Sequence, residues 1–151
     1  MIRGCKVEVR GQWQGPAHDM IALDYQDRSR RRYVMCANGG TQFLLDLQRP
    51  AYMRDGDAII LEDGRYICVN AAPEALAELR PGRTMSLVEI AYHIGNRHLE
   101  AQIFDNRICI RRDHVIETMI VGMGGSVRHV EAPFDPLRGA YAHDHSVETP
   151  A

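Results

Sequence analysis

Two helix-start signals, each followed by an apolar stripe and separated by a pair of short extended runs, constrain this chain more than any other feature of its sequence. Ser86-Leu87-Val88-Glu89 has capping-box spacing, in which the serine hydroxyl and the glutamate carboxylate each take a backbone amide of the first turn, and apolar residues follow at 87, 90, 91 and 94. Asp113 is placed to cap a second helix with the apolar set Val115, Ile116, Met119, Ile120 and Met123, stopped by Gly124-Gly125. Between the helices, Ala101 to Phe104 and Arg107 to Arg111 flank Asp105-Asn106, a turn pair joining two strands. With Ala75 to Leu79 as a first strand and Ser126 to Val130 as a last, the order is β-α-β-β-α-β. That is the ferredoxin-like order, in which two helices cover one face of an antiparallel sheet. The residues after Pro133 read as a mobile tail.

The first half has a different texture. Lys6-Val7-Glu8-Val9 and Phe43 to Leu47 alternate with period two, and Asn38-Gly39-Gly40 and Asp63-Gly64 break the chain into short pieces. Turns at Arg54-Asp55-Gly56-Asp57 and Asp63-Gly64 frame a hairpin of Ala58 to Leu61 with Arg65 to Val69. Ala71-Ala72-Pro73-Glu74 is the hinge. The fold class is therefore α+β: a small all-β domain over 1–73, a ferredoxin-like βαββαβ domain over 74–136, and a flexible histidine-containing tail over 137–151.

Length and composition narrow the function classes. At 151 residues, 45% hydrophobic and 25% charged, the chain has the make-up of a folded water-exposed protein. A formal charge of -2 is too near neutral for a partner held mainly through phosphates or anionic lipid, so neither nucleic acid nor membrane is expected. No apolar run approaches the roughly 18 residues of a membrane helix, and Met1 to Gly11 does not form a signal-peptide core, which places the chain in the cytoplasm. Cys5, Cys36, Cys68 and Cys109 form no Cys-x-x-Cys pair; they are expected to be reduced, mostly buried residues in strands. Arg28, Arg30, Arg31 and Arg32 read as solvated charge on alternating strand positions. Gly122 to Ser126 closes a helix and lacks the Gly-Lys-Ser/Thr ending of a phosphate loop.

Histidine points to the second half. His18 alone precedes residue 74, whereas His93, His98, His114, His129, His143 and His145 follow it, where eight basic residues face eleven acidic ones. On an ideal helix His93 and His98 are five positions apart, about 140° around the axis, so one chain does not easily clamp a cation with both. His98 extends the stripe of Leu87, Ile90, Ala91 and Ile94, which makes it either a hydrogen-bonded core histidine or a ligand. A two-fold axis near His98 would bring two copies of the ring together without any chelating motif, and imidazole is a borderline donor suited to Ni²⁺, Cu²⁺ and Zn²⁺. His143-Asp144-His145 places two more imidazoles on one side of an extended segment. His18 and His129 read as surface or structural.

These residues resemble the urease accessory protein E family, nickel chaperones of urease maturation. The likeness runs through Arg54-Asp55-Gly56-Asp57, Glu62-Asp63-Gly64, Ala91-Tyr92-His93-Ile94-Gly95-Asn96-Arg97-His98 with Gln102, Asp113-His114-Val115, Pro133-Phe134-Asp135-Pro136 and Gly139-Ala140-Tyr141-Ala142. The resemblance implies a peptide-binding-like β domain, a ferredoxin-like metal-binding and dimerisation domain, and a non-enzymatic role. It also implies Ni²⁺ bound by His98 across a homodimer interface and delivered to apo-urease with the accessory GTPase, with Zn²⁺ or Cu²⁺ able to bind in vitro. Many members end in a long histidine-rich tail, where this chain has only His143 and His145. Some carry a His-x-His pair entering the second helix, where this chain has Arg112 and His114. The candidate ligands in order are His98, then His145 and His143, then His93 and His114. Two alternatives stand beside the carrier: a metal-free protein-binding adaptor, and a metal-dependent hydrolase, for which no His-Glu-x-x-His string is present.

Overall fold

The computed structural model describes residues 1–137, which divide into two compact units, residues 1–72 and residues 73 onward. The division falls within the Ala71-Ala72-Pro73-Glu74 quartet.

In the first unit, β1 (Arg3–Glu8), β2 (Asp19–Leu23), β3 (Arg32–Cys36), β4 (Gln42–Asp46), β5 (Ala58–Leu61) and β6 (Tyr66–Ala71) make one six-stranded sheet in the order β2-β6-β5-β1-β4-β3. The hairpin read from the turns is present, with Ala58 opposite Cys68 and Ile60 opposite Tyr66, while β1 with β4 and β2 with β6 pair in parallel. Alternation sends Phe43, Leu45, Ile59, Leu61, Ile67 and Val69 into one core. Carboxylates hold the turns: Asp57 accepts the amides of Arg10 and Arg54, and Asp19 accepts the Gly39 amide at 2.8 Å and the Thr41 hydroxyl at 2.7 Å.

Beside its strands the unit holds one turn of helix, α1 (Tyr25–Arg28), which Asp24 caps through the Asp27 amide. Two expectations are corrected. Arg28 is not solvated but wholly buried, donating to the Leu23 carbonyl at 3.1 Å and the Tyr52 hydroxyl at 2.6 Å. It sits on α1 rather than in a strand, so strand alternation never applied to it. The cysteines all lie in strands and are free, yet Cys5 and Cys36 are exposed and Cys68 half-buried, leaving Cys109 as the one in a core. Their neighbours along each strand, not the thiol's preference for the interior, decide which face they take.

The second unit runs β7 (Pro73–Arg80), α2 (Leu87–Asn96), β8 (Gln102–Ile103), β9 (Ile108–Arg111), α3 (His114–Gly122) and β10 (Ser126–Pro133), with sheet order β10-β7-β9-β8 and every pairing antiparallel. This is the expected ferredoxin-like βαββαβ arrangement. Ile90 and Ile94 of α2 and Ile116 and Ile120 of α3 pack on Ala77, Leu79, Ile108 and Ile110. The capping box is complete: the Glu89 amide donates to the Ser86 hydroxyl and the Ser86 amide to the Glu89 carboxylate. Asp113 caps α3 by accepting the amides of Val115 and Ile116. The α3 stripe is narrower than expected, since Val115 and Met123 are exposed.

The segment after Pro133 is not a loose tail where it is described. Phe134 is fully buried, the Asp135 amide donates to Gln102 Oε1 at 3.1 Å, and the Leu137 amide donates to the Ala101 carbonyl at 2.8 Å. Burial of an aromatic ring anchors it, a signal that the surrounding prolines and aspartate mask in the sequence. Among the described residues no helix is long and apolar enough to cross a membrane.

Candidate metal centre

The two helices of the second unit end alike, and the comparison singles out His98. At the end of α3 the Gly124 amide donates to the Val121 carbonyl and the Gly125 amide to the Ile120 carbonyl, with Gly124 left-handed at φ 104°. This is the Schellman closure, which satisfies the last carbonyls by turning one residue into the left-handed region, a seat that glycine fills at no steric cost. At the end of α2 the His98 amide donates to the Gly95 carbonyl at 3.0 Å and the Leu99 amide to the Ile94 carbonyl at 3.3 Å. The bond pattern is the same, but the left-handed seat, at φ 57°, holds His98. His98 is the sole non-glycine residue with positive φ among the described residues. Backbone strain of this kind persists where surrounding structure enforces it, and it gathers at functional positions.

The helix-stripe reading of His98 is thereby corrected. His98 lies two residues beyond the end of α2, past the Arg97 cap, and is exposed, so it is neither a core histidine nor part of the buried stripe. The stripe ends at Ile94, and Leu99 closes the cap by packing on the same core. One signal in the sequence could have shown this: apolar residues at 94 and 99, five apart, are the hydrophobic pair that accompanies a Schellman closure.

The other candidates are dispersed. His93 is half-buried on α2, its ring edge-on to Tyr92 with centroids 5.4 Å apart. One turn earlier, Glu89 is held below the usual carboxylate range by hydrogen bonds from Ser86, with His93 adding to the effect. His114 is the exposed first residue of α3. The residue before it, Asp113, lines a groove of about 350 Å³ with Leu99, Glu100, Ile110, Arg111 and Arg112, whose charged groups are two guanidiniums and two carboxylates. His143 and His145 lie outside the described residues.

Two histidines are taken up by structure. His18 Nε2 lies 2.8 Å from Arg65 Nη1. His129 Nε2 lies 2.7 Å from Oε1 of Glu117, a buried carboxylate that also accepts Arg112 Nε and the Asp113 amide. Burial pushes the Glu117 carboxyl up, but the hydrogen bonds from His129, Asp113 and Arg112 outweigh it and the net shift is downward. The Glu117 anchor is not legible in the sequence, because His129, which it holds, lies twelve residues further along the chain.

The helix that leads to His98 exposes two large apolar side chains. Val88 is 78% exposed and Tyr92 67% exposed, one turn apart on the side of α2 opposite Ile90 and Ile94. Among the described residues no three histidine, cysteine or acidic side chains are grouped so that they could hold a metal ion. His98 therefore offers one accessible imidazole donor, which suits a borderline divalent cation but needs further donors that no other described residue of the same chain is grouped to supply.

Comparison with known proteins gives a consistent result. Residues 6–72 match the family model for the UreE urease accessory protein N-terminal domain, and residues 74–150 match that for its C-terminal domain. A urease accessory protein UreE of Rhodopseudomonas palustris (strain HaA2) is 50% identical over 145 residues, 96% of this chain and 67% of the relative. That of Bradyrhizobium sp. (strain ORS 278) is 51% identical over 142 residues, 94% of this chain and 68% of the relative. That of Chelativorans sp. (strain BNC1) is 49% identical over 146 residues, 96% of this chain and 90% of the relative.

Proposed function

Since the chain belongs to the UreE family of urease accessory proteins, we propose that it is a nickel metallochaperone that carries Ni²⁺ as cargo and delivers it to apo-urease, together with the accessory GTPase, while the urease metallocentre is assembled. The ion is held between two copies of the chain by the paired His98 rings. His145 and His143 are the next ligands, and His93 and His114 are peripheral. The role is non-catalytic, and its setting is the cytoplasm.

The observation that carries this reading is the placement of His98. A non-glycine residue is kept in a left-handed cap, exposed, at the end of a helix that also exposes Val88 and Tyr92. A core histidine would not need that backbone, and a lone donor gains a partner when symmetry supplies a second copy. Few ligands on an accessible surface bind a cation reversibly, as a carrier requires. Ligand chemistry alone does not select nickel, since imidazole accepts Cu²⁺ more tightly and Zn²⁺ readily.

The test is calorimetric uptake of Ni²⁺ by the dialysed protein with sedimentation in parallel. The expected result is one strong site for every two chains and a dimer, with uptake largely lost in His98→Ala while circular dichroism is unchanged. Unaltered uptake in that variant defeats the assignment. No uptake by the unaltered protein favours the metal-free adaptor. Anomalous scattering from a nickel-soaked crystal would count the ligands.

A further inference from the structure

The sheet of the second unit has a side that α2 and α3 do not cover. Ala77 and Leu79 of β7 and Ile108 and Ile110 of β9 pack against the helices, so alternation turns Glu78 and Cys109, which lie between them, to the opposite side. Glu78 and Cys109 are partners across one ladder, and Arg128 of β10 is the partner of Glu78 across the next. Three guanidiniums converge on the Glu78 carboxylate. Arg80 Nε and Arg128 Nη2 reach Oε1 at 3.0 and 3.3 Å, and Arg107 Nε reaches Oε2 at 3.3 Å. The Glu78 side chain is 7% exposed and that of Arg128 71%, so the carboxylate forms the floor of the cluster and the cations its surface.

This is more positive charge than the fold requires. A single guanidinium can satisfy a carboxylate with two parallel hydrogen bonds, whereas three against one leave two positive charges together. The antiparallel pairing of Leu79 with Ile108 brings the adjoining Arg80 and Arg107 opposite each other, an arrangement of like charges that costs stability. The surplus stands in a half of the chain where acidic residues outnumber basic ones. Most of the donors are also unspent, since three guanidiniums carry about fifteen N–H groups and one carboxylate accepts about four. Arg107 is held further by its contact with Phe104, the guanidinium lying 3.9 Å from the ring centroid. Side chains already fixed in place lose less freedom when a partner arrives.

We propose that this guanidinium cluster is a docking site for an acidic segment of a partner protein, whose aspartate and glutamate carboxylates take the outward donors of Arg80, Arg107 and Arg128. Glu78 is a positioning residue that gathers the three side chains before the partner binds. The planar fork of a guanidinium matches a carboxylate donor for donor. Cations drawn from three neighbouring strands, each about 4.8 Å from the next, match carboxylates spaced along a chain better than one small anion. Nucleic acid fits less well, because Arg107 lies over the Phe104 ring that a base would stack on, and the chain as a whole is negative. The inference does not depend on the shared nickel site.

The test is fluorescence anisotropy of a labelled decaglutamate peptide with the full, metal-free chain, with labelled oligouridylate and inorganic phosphate as the alternative anions. The variants are Arg128→Gln, Arg80→Gln combined with Arg128→Gln, and Glu78→Gln, each checked for fold by circular dichroism. The expected result is saturable, salt-sensitive binding of decaglutamate that Arg128→Gln weakens about threefold and the double variant about tenfold, with Ni²⁺ uptake unchanged. Glu78→Gln separates an assembled site from bare charge. It adds a positive charge but releases the guanidiniums, so an assembled site predicts weaker binding and charge alone predicts tighter binding. Undiminished binding in the double variant, or tighter binding in Glu78→Gln, overturns the proposal. So does oligouridylate that binds more tightly than decaglutamate, or displacement of the peptide by equimolar phosphate. His98→Ala should leave decaglutamate binding intact, so failure of the nickel reading and failure of this one are read separately.

Discussion

A left-handed backbone is costly for any residue with a β-carbon, by about 1–2 kcal/mol, and His98 bears that cost where α3 uses Gly124. His98→Gly is therefore expected to raise the stability of the metal-free protein by about 1 kcal/mol, whereas His98→Ala, still carrying a β-carbon, leaves it nearly unchanged. Thermal unfolding would show the difference, and a destabilised glycine variant would mean the cap is not strained. In the proposed site both variants lose Ni²⁺, so the glycine variant separates stability from binding. Asp19 gives a second prediction. Hydrogen bonds from the Thr41 hydroxyl and the Met20 amide hold its carboxyl at about 2, against an ordinary 3.8. A depressed carboxyl favours the folded state above its ordinary value, and the contribution is lost as pH falls toward the folded one. Asp19→Asn should then flatten the fall in melting temperature between about pH 5 and about pH 2.5. At this scale the sequence is legible in part. His98 stands out by its identity, but not by its place, because the helical period of α2 stops at Ile94 and the helix closes before His98. The burial of Arg28 is not legible, because it depends on Leu23 and Tyr52, which the folded chain brings to its guanidinium.

Helices and strands were more legible, because their signals are local. The capping box at Ser86 and the aspartate cap at Asp113 fix both helix starts in the structure as they do on paper, and the paired strands follow from Asp105-Asn106. Ser86→Ala removes the acceptor of the Glu89 amide and should cost about 1 kcal/mol, measured by denaturant unfolding. The four-residue α1 left no trace in the pattern, since one turn is too short to show a period. β10 runs to Pro133 because it pairs with β7 over eight positions, from Ser126 opposite Arg80 to Pro133 opposite Pro73. Long-range pairing of that kind lies beyond local propensity. The same pairing sets Glu78, nearly buried, among Arg80, Arg107 and Arg128 at 3.0 to 3.3 Å. Burial raises its carboxyl, the three guanidiniums lower it by more, and the net shift is downward from 4.5. Glu78→Gln should cost about 1–2 kcal/mol near neutral pH, modest because Arg80 and Arg128 are well solvated. The deficit should shrink on acidification below the ordinary carboxylate range, as the unaltered protein loses the same charge. A deficit independent of pH would assign the cost to packing instead.

The whole molecule divides within the Ala71-Ala72-Pro73-Glu74 quartet, and its family is established by both halves. The anchoring of Phe134 was not legible, because a single aromatic between prolines carries no period. Phe134→Ala should cost about 3–5 kcal/mol, the usual loss for a fully buried ring, and a shift in the urea midpoint would measure it. What the ion gains from the proposed pairing is partly electrostatic and comes from the backbone. His98 follows the C-terminal end of α2, where aligned peptide dipoles leave a partial negative charge. Two copies meeting there would aim two such ends at one cation, so part of the attraction belongs to no side chain and would survive loss of the rings as a weak, salt-sensitive residue of binding.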